Sequence, residues 1–245
     1  MKTILIIGAN SAIAKATSRL YAEEQAHLFL LARDTKALAL QKADLEVRGA
    51  ASVDYAPLDC THYAVHEAAI DQALDTLGHI DLVLICHGSL PDQALCEVDF
   101  DAAKEAFSIN ALSVISLLTV LALKMQTQDS GTIGVVTSVA GDRGRQSNYV
   151  YGAAKGMVSL YLEGLRGRLN PHNINVIDIK PGFVDTPMTE HIKKGMLWAS
   201  PEQVAACIVK GVDKNKHTVY APYFWRYIMQ IVCSIPESIF KKLKF

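Results

Sequence analysis

The sequence lacks an excess of charge of either sign, because 24 Lys and Arg residues are matched by 25 Asp and Glu residues. A chain without a strong field has little to attract nucleic acid, so we predict no nucleic-acid partner. Cysteine is sparse, odd in number and free of any C-x-x-C pair, which argues against a disulfide framework and for a reducing, cytoplasmic location. The five cysteines are Cys60, Cys86, Cys96, Cys207 and Cys233.

Long apolar runs are also scarce. The amino-terminal run in MKTILIIGAN is too short for a secretory signal and is typical of a β-strand. Ala106–Leu123 carries no charge over 18 residues, the lower edge of a membrane-spanning length. However, Asn110 and several Ser and Thr residues in this stretch would lack hydrogen-bond partners in lipid. We therefore predict a helix buried in the domain or in a subunit interface.

Short β-branched runs alternate with segments of helical periodicity, such as Ser11–Gln25 and Thr61–Leu77. This alternation predicts an α/β fold, a Rossmann-type doubly wound seven-stranded parallel sheet with helices on both faces. Neither a linker nor a repeat divides the chain, so residues 1–245 are predicted to form one dinucleotide-binding domain. The predicted strands are Thr3–Ile7, His27–Leu31, Ser52–Ala56, Asp81–Ile85, Thr132–Thr137, Asn173–Ile179 and Thr218–Tyr220.

The carboxyl-terminal tail, residues 217–245 of that domain, differs in composition. From Lys214 onward the chain has six Lys and Arg residues and one acidic residue, Glu237. Aromatic residues beside basic ones are typical of a segment lying on a membrane surface. The alternative is a tail packed on the domain or on a sister subunit. The aromatic residues are Tyr220, Tyr223, Phe224, Trp225, Tyr227, Phe240 and Phe245.

The first predicted strand runs into a turn over residues 8–14, GANSAIA, and then into a helix. Such a turn points backbone N–H groups and the positive helix end at a pyrophosphate. Alanine stands at positions 12 and 14, where dinucleotide-binding folds often have glycine; the last of these suits helix–strand packing. The residues predicted to bind the dinucleotide here are Gly8, Asn10, Ser11 and Ile13.

The end of the second strand bears on which dinucleotide binds. An NAD site usually presents an acidic residue there, whereas this sequence has Ala32 followed by Arg33. A guanidinium pairs bidentately with a 2′-phosphate, which favours NADPH over NADH. The alternative is that Arg33 and Asp34 only cap the following helix.

Two more strand ends are predicted to contact the dinucleotide. Asp59, followed by Cys60, would accept from the adenine amino group, although a helix N-cap role competes. Gly88 would let the backbone pass close to the ribose. Its neighbour His87 either contacts the cofactor or packs at the core edge.

The catalytic candidates are Tyr151, Lys155 and Ser138. On a helix, residues four apart share a face, so the phenol and the ammonium point into the same space. A nearby Lys⁺ favours the phenolate and brings the tyrosine towards useful acid–base range. Ser138 ends an apolar strand 13 residues before Tyr151, at the sheet edge where a substrate carbonyl would lie.

These residues resemble the short-chain dehydrogenase/reductase family over essentially the whole chain, with ICHG at residues 85–88 in place of the usual Asn-Asn-Ala-Gly. The resemblance implies that Tyr151 protonates the carbonyl oxygen, Ser138 hydrogen-bonds it, and Lys155 binds the nicotinamide ribose and lowers the pKa of Tyr151. It further implies a homodimer or homotetramer, a water held by Asn110, and a nicotinamide site lined by Pro181, Gly182, Val184 and Thr186.

A narrower likeness lies in SVAGDR at residues 138–143, in NYVYG at residues 148–152 and in the tail. These segments resemble reductases of decaprenylphosphoryl-2-keto-ribose, the second half of an arabinose-forming epimerase. This resemblance implies a lipid-linked keto-sugar substrate and a tail in peripheral contact with a membrane. The alternatives are reduction of a small or lipid-like soluble ketone and a non-catalytic NADP(H)-binding protein.

Two smaller signals have competing explanations. His62 and His66 stand four apart, but without a clear third ligand we predict a solvated helix face and no metal. Arg143 and Arg145 follow the catalytic serine. They would bind a substrate phosphate or belong to a solvated loop.

Overall fold

The computed structural model describes residues 1–190 and 192–243, so Lys244 and Phe245 of the predicted tail lie outside the described residues. Seven strands form one parallel sheet in the order β3-β2-β1-β4-β5-β6-β7. The predicted fold is confirmed, and each predicted strand end is within two residues of the observed one. The strands are β1 (Thr3–Ile7), β2 (His27–Ala32), β3 (Ser52–Pro57), β4 (Leu82–Ile85), β5 (Gly131–Val136), β6 (Ile174–Pro181) and β7 (Thr218–Ala221).

The helices follow the strands and cover both faces of the sheet, as right-handed crossovers between parallel strands require. Several begin at a side-chain cap: Ser11 caps α1, and Ser200 caps α8 through a capping box. The helices are α1 (Ala12–Glu23), α2 (Thr35–Val47), α3 (His66–Leu77), α4 (Gln93–Val98), α5 (Phe100–Phe107), α6 (Ser113–Gln128), α7 (Tyr149–Leu169), α8 (Pro201–Asp213), α9 (Trp225–Ser234) and α10 (Glu237–Phe240).

Side-chain alternation along the strands divides the core into two layers. In β1, Leu5 and Ile7 belong to the layer that includes the inner faces of α3, α6 and α7. Ile4 and Ile6 belong to the opposite layer, with the inner faces of α1, α2 and α8. All four are fully buried, and each such side chain contributes about 1.5–3 kcal/mol by leaving water.

The uncharged stretch predicted as a buried helix lies in a continuous helical segment, Phe100–Gln128, in which a π-helical turn at Ser108–Leu112 joins α5 and α6. The segment is long and apolar enough to cross a membrane, yet half of its most apolar window is buried inside the protein. Its inner face supplies core residues such as Leu117 and Leu121. Leu123 is exposed on the outer face, where a subunit interface stays a prediction.

The tail packs on the domain along one side. Trp225 and Met229 of α9 are buried against Val139, in the loop that follows β5. The other side of α9 is exposed. The alternative of a tail packed on the domain is therefore correct for the inner face of α9. Contact of the outer face with a membrane stays a prediction.

Candidate active site

The carboxyl ends of the central strands surround a cleft of about 500 Å³. Among the residues predicted to react or to bind the dinucleotide, Asn110 alone does not line it. Residues predicted from separate strand ends thus meet in one cleft, as expected for the carboxyl edge of a doubly wound sheet. The predicted residues that line the cleft are Gly8, Asn10, Ser11, Ile13, Arg33, Asp59, Cys60, His87, Gly88, Ser138, Tyr151, Lys155, Pro181, Gly182, Val184 and Thr186.

The turn after β1 depends on Gly8. Its φ is +78°, and a Cβ there would lie 2.5 Å from the backbone nitrogen of His87. A side chain at this position would therefore both strain the backbone and push β1 away from the segment after β4. Ala14 is fully buried in the core, which agrees with the interpretation of alanine as a helix–strand packing residue. Ala12 lines the cleft at the start of α1.

At the end of β2 two adjacent charged residues have different environments. The Asp34 carboxylate accepts from the backbone N–H groups of Lys36 and Ala37 at 3.0 and 3.1 Å, which caps α2. Arg33 is exposed and lines the cleft. Within residues 1–190 and 192–243 its guanidinium forms neither a hydrogen bond nor an ion pair. The capping alternative is therefore correct for Asp34 and wrong for Arg33.

Asp59 also lines the cleft, but it caps a turn rather than a helix. Its Oδ1 accepts from the backbone N–H of Thr61 at 2.9 Å and from the Thr61 hydroxyl at 2.7 Å. These hydrogen bonds, with the charge of Arg33 as a smaller contribution, lower the pKa of Asp59. The carboxylate therefore remains ionised, with its second oxygen outside this turn.

The catalytic candidates occupy the other end of the cleft. Ser138 follows β5, and its Oγ accepts from the backbone N–H of Ala140 at 3.1 Å, while its hydroxyl hydrogen can donate towards the Tyr151 oxygen. Tyr151 and Lys155 lie one turn apart on α7, and the Lys155 Nζ is 5.8 Å from the centre of the Tyr151 ring. Nζ donates to the Val136 carbonyl at 3.1 Å. The three side chains thus face one volume.

Burial dominates the protonation of this group. It raises the pKa of Tyr151 to about 12, while a hydrogen bond with Ser138 acts in the opposite direction. Burial also lowers the pKa of Lys155 to about 8, against the attraction of Cys86 and Asp178. Burial therefore gives a net rise in the pKa of Tyr151, and the expectation that Lys155 lowers this pKa stays a prediction. A phenol with a high pKa stays protonated, as a proton donor must.

Asn110 lies behind the cleft wall rather than in it. Its Oδ1 accepts from the backbone N–H of Ser89 at 3.0 Å, and its Nδ2 donates to the Ala106 carbonyl at 3.0 Å. A Cβ at Gly88 would lie 2.9 Å from that Oδ1. Asn110 thus fixes the loop after β4 against the π-helical turn, and its role towards a water stays a prediction.

His87 lies at the core edge and also lines the cleft, so its contact with a cofactor stays a prediction. It lines the cleft, and its Nε2 lies 2.7 Å from the Ser113 hydroxyl. Because that hydroxyl donates to the Ile109 carbonyl, Nε2 must carry the hydrogen of a neutral imidazole. Burial lowers the pKa of His87 to about 3, and the positive charge of Lys155 makes a smaller contribution in the same direction.

The two arginines after Ser138 bind the tail instead of facing the cleft. Arg143 Nη1 donates to the carbonyls of Val232 and Ile235, both at 2.6 Å, and Nη2 pairs with Glu237 at 3.1 Å. Arg145 donates to the Met229 sulfur at 3.2 Å. Neither a phosphate site nor a solvated loop describes them, so both predictions are wrong. The partners of these two arginines lie 84 to 94 residues away in the sequence, so local sequence context could not reveal them.

The histidine pair also differs from its prediction. His66 is fully buried at the start of α3, where Nδ1 lies 3.0 Å from the Ser116 hydroxyl and Nε2 lies 3.1 Å from the Cys60 carbonyl. A solvated face is therefore wrong for His66 and correct for His62, which is exposed. Among the described residues, His, Cys, Asp and Glu form no group of three or more that could hold a metal ion.

Sequence reasoning missed several residues of the cleft wall. Thr61, Ser89 and Thr137 each adjoin a predicted residue near the end of a strand, which was the available signal for them. The missed polar and sulfur-containing residues are Thr61, Cys86, Ser89, Thr137, Met188 and Thr189.

A protein-family model described as short chain dehydrogenase matches residues 2–197 of this chain. The chain belongs to this family. Short-chain dehydrogenases bind NAD(P)(H), and the cleft residues fit such a group: Arg33 and Asp59 at one end, the start of α1 in the middle and Lys155 at the other end. The chain is therefore an oxidoreductase of the short-chain dehydrogenase class.

Similar proteins span nearly the whole chain. An uncharacterized oxidoreductase of Mycobacterium tuberculosis is 31% identical over 240 residues, covering 98% of this chain and 96% of that protein. One of Streptomyces coelicolor is 31% identical over 244 residues, covering 99% and 96%. The ketoacyl reductase HetN of Nostoc is 27% identical over 229 residues, covering 89% and 77%.

Solved structures agree on the fold. Levodione reductase superposes with a TM-score of 0.81 at 23% identity, covering 89% of this chain and 94% of its own. An actinorhodin polyketide ketoreductase with NADPH gives a TM-score of 0.79 at 20% identity, covering 89% and 94%. At such identities the likeness establishes the short-chain dehydrogenase architecture.

Proposed function

We propose that this short-chain dehydrogenase uses NADPH to reduce a ketone to a secondary alcohol. The observation that carries the proposal is the division of one cleft into a catalytic end and a cationic end. Ser138, Tyr151 and Lys155 occupy the first, and Arg33, free of ion pairs among the described residues, occupies the second. Two similar proteins are named ketoacyl reductase and polyketide ketoreductase, the latter with NADPH.

The chemistry follows from the protonation states. When bound, NADPH would supply a hydride to the carbonyl carbon from its nicotinamide ring. The Tyr151 phenol donates its proton to the carbonyl oxygen, so the ketone gains one hydride and one proton and becomes an alcohol. Ser138 would orient that oxygen by donating its hydroxyl hydrogen to it. Lys155 places a positive charge near the phenol and would hold the ribose of the bound dinucleotide.

The preference for NADPH rests on the end of β2. Asp34 caps α2 through its Oδ1, and the strand-end position where an NAD site usually has an acidic residue is Ala32 here. Arg33 is the residue that could meet a 2′-phosphate. Replacing Arg33 with Ala is expected to weaken NADPH binding about 10- to 100-fold, the value of charged hydrogen bonds, and to leave NADH binding nearly unchanged.

Fluorescence titration with each dinucleotide tests the preference. Lys36→Ala is the matched control, since Lys36 is an exposed cation close in sequence that does not line the cleft. An equal loss of NADPH and NADH affinity in Arg33→Ala would contradict this assignment.

For the substrate we propose a lipid-linked keto-sugar. The tail begins next to the cleft, where Trp225 occupies the space above Gly182 and would overlap any side chain there. Met188 of the cleft wall is 40% exposed. An apolar rim of this kind suits a substrate with a hydrocarbon portion, and the narrower sequence likeness indicates the same class.

A comparison of one keto-sugar with and without its polyprenyl phosphate tests the substrate class. The prenylated form should give the higher kcat/KM, by about tenfold or more from burial of its apolar surface. Equal values would favour the alternative, a soluble ketone reductase. If NADPH binds but a broad ketone panel shows no turnover that depends on Tyr151, the protein is a non-catalytic NADP(H)-binding protein instead.

A further inference from the structure

The tail helix α9 has two unlike faces. Trp225 and Met229 are 3% and 1% exposed, and they pack on the domain. Tyr223, Tyr227 and Ile231 are 55%, 56% and 68% exposed. The spacing of four residues places Tyr227 and Ile231 in one row on the outside of the helix, and the ring of Tyr223, just before the helix, lies 5.6 Å from that of Tyr227. Such an exposed row is unusual because apolar rows normally face a core.

The row cannot turn inward. Arg143 binds the carbonyls at the end of α9, and its guanidinium carbon lies 3.6 Å from the centre of the Phe240 ring in α10. At the other end, Trp225 packs on Gly182 and makes an edge contact with Phe183 at 5.6 Å. With both ends of the helix held, exposure of the outer row is imposed by the fold.

Exposed apolar side chains recur after α9. In and after α10, Ile239 is 53% exposed and Leu243 is 38% exposed. We name the outer row and these two residues together the tail face: Tyr223, Tyr227, Ile231, Ile239 and Leu243.

Most of the charged residues that the tail itself carries are basic. Arg226, Lys241 and Lys242 are exposed beside it. Glu237, the one acidic residue after Lys214, is paired with Arg143. The described part of the tail therefore presents apolar side chains bordered by cations.

The tail face is also connected to the cleft. Neighbouring rings form a chain from Phe224 to Trp225 at 5.9 Å, from Trp225 to Phe183 at 5.6 Å, and from Phe183 to Trp198 at 5.5 Å. Phe183 follows Gly182 of the cleft wall and is 40% exposed. Ring contacts thus join the residues next to Tyr223 of the tail face to the segment that follows the cleft wall.

We propose that the tail face is a docking surface for an anionic lipid membrane. Aromatic and aliphatic side chains enter the headgroup boundary, and the bordering cations attract acidic headgroups. A second copy of the chain fits less well, because a two-fold contact places the same patch on both subunits and would bring like charges together. The consequence, entry of a lipid-linked ketone directly from the membrane, rests on the proposed function.

Sedimentation of the full-length protein with vesicles tests the proposal. Wild-type protein should bind vesicles that contain phosphatidylglycerol, bind pure phosphatidylcholine vesicles less, and lose binding as salt is raised. The double variant Lys241→Gln/Lys242→Gln should bind about 25-fold more weakly, about fivefold for each charge. The double variant Tyr227→Ser/Ile231→Ser should lose about tenfold or more.

The matched control is Leu40→Ser/Val47→Ser on α2, which removes two apolar side chains that are 76% and 90% exposed outside the tail face. Its vesicle binding should equal that of wild type, and all variants should keep the wild-type affinity for NADPH.

Absence of wild-type binding to anionic vesicles at low salt would overturn the proposal. Binding by both double variants of the tail that equals wild-type binding would also overturn it. A change in their sedimentation coefficient without vesicles would overturn it as well, because it would identify a self-association surface. NADPH-dependent reduction of a soluble ketone, measured without vesicles, tests the proposed ketone reductase activity independently of membrane binding.

Discussion

The catalytic segment, from β5 through α7, and the tail, from β7 through α10, pack against each other next to Ser138, yet they are organised differently. The first is a strand, a loop and a helix close in sequence, with buried polar groups one helical turn apart. The second is an amphipathic segment that reaches the first through Arg143 and Trp225. The family model includes the first and ends before the second. The catalytic residues are therefore positioned by their local spacing in the sequence, whereas the tail is positioned beside them by long-range contacts.

The sharpest test of this comparison removes the proton donor. Tyr151→Phe should lower kcat for ketone reduction about 10²- to 10⁴-fold, the range for loss of a general acid, with NADPH affinity retained. Reduced-nicotinamide absorbance measures turnover. Tyr149→Phe is the control, since Tyr149 lies two residues earlier on α7, is 43% exposed and does not line the cleft. Full activity in Tyr151→Phe would show that Tyr151 is not the proton donor.

The pH profile tests the same segment. Lys155, with its pKa lowered to about 8, is charged below that pH and neutral above it, whereas Tyr151, with its pKa near 12, stays protonated throughout. The kcat/KM for reduction should therefore fall about tenfold per pH unit above about 8, since the cation is lost first. Lys155→Arg should shift this decline to higher pH. A profile that stays flat to pH 10 would show that the charge is not needed.

A third test separates the tail from the catalytic segment. Arg143→Leu removes the donor shared by the last carbonyls of α9 and should lower the free energy of unfolding by about 1.5–3 kcal/mol. Limited trypsin digestion should then cleave the tail faster. Arg145→Leu, which loses only a contact with the Met229 sulfur, should show smaller changes. Equal effects would mean that Arg143 is not the principal link.

The smallest expected effect concerns the cofactor end. Asp34→Ala removes the cap of α2 and should cost about 1 kcal/mol of unfolding free energy, while Asp34→Ser should retain most of it. The ratio of NADPH to NADH affinity should not change in either variant. A change in that ratio would indicate that the carboxylate touches the dinucleotide after all.

Much of the fold and of the cleft could be predicted because the signals are local. Alternation of β-branched runs with helical segments predicted the seven-stranded parallel sheet, and residues directly after the strands predicted the cleft lining. His66, Arg143 and Arg145 were misjudged for the opposite reason. Their partners, such as Ser116 and Ile235, are 50 and 92 residues away in sequence.

The sequence by itself determined the periodicity of each element, the Tyr151–Lys155 spacing and the cation at the end of β2, because these depend on neighbours within a few residues. Tertiary structure alone decided that burial raises the pKa of Tyr151 and that Asp34 and Arg33 differ in role. It also decided that Arg143 holds the tail with one apolar row facing outward. Burial and long-range hydrogen bonds exist only once the chain has folded, and they set both the protonation of the site and the surface beside it.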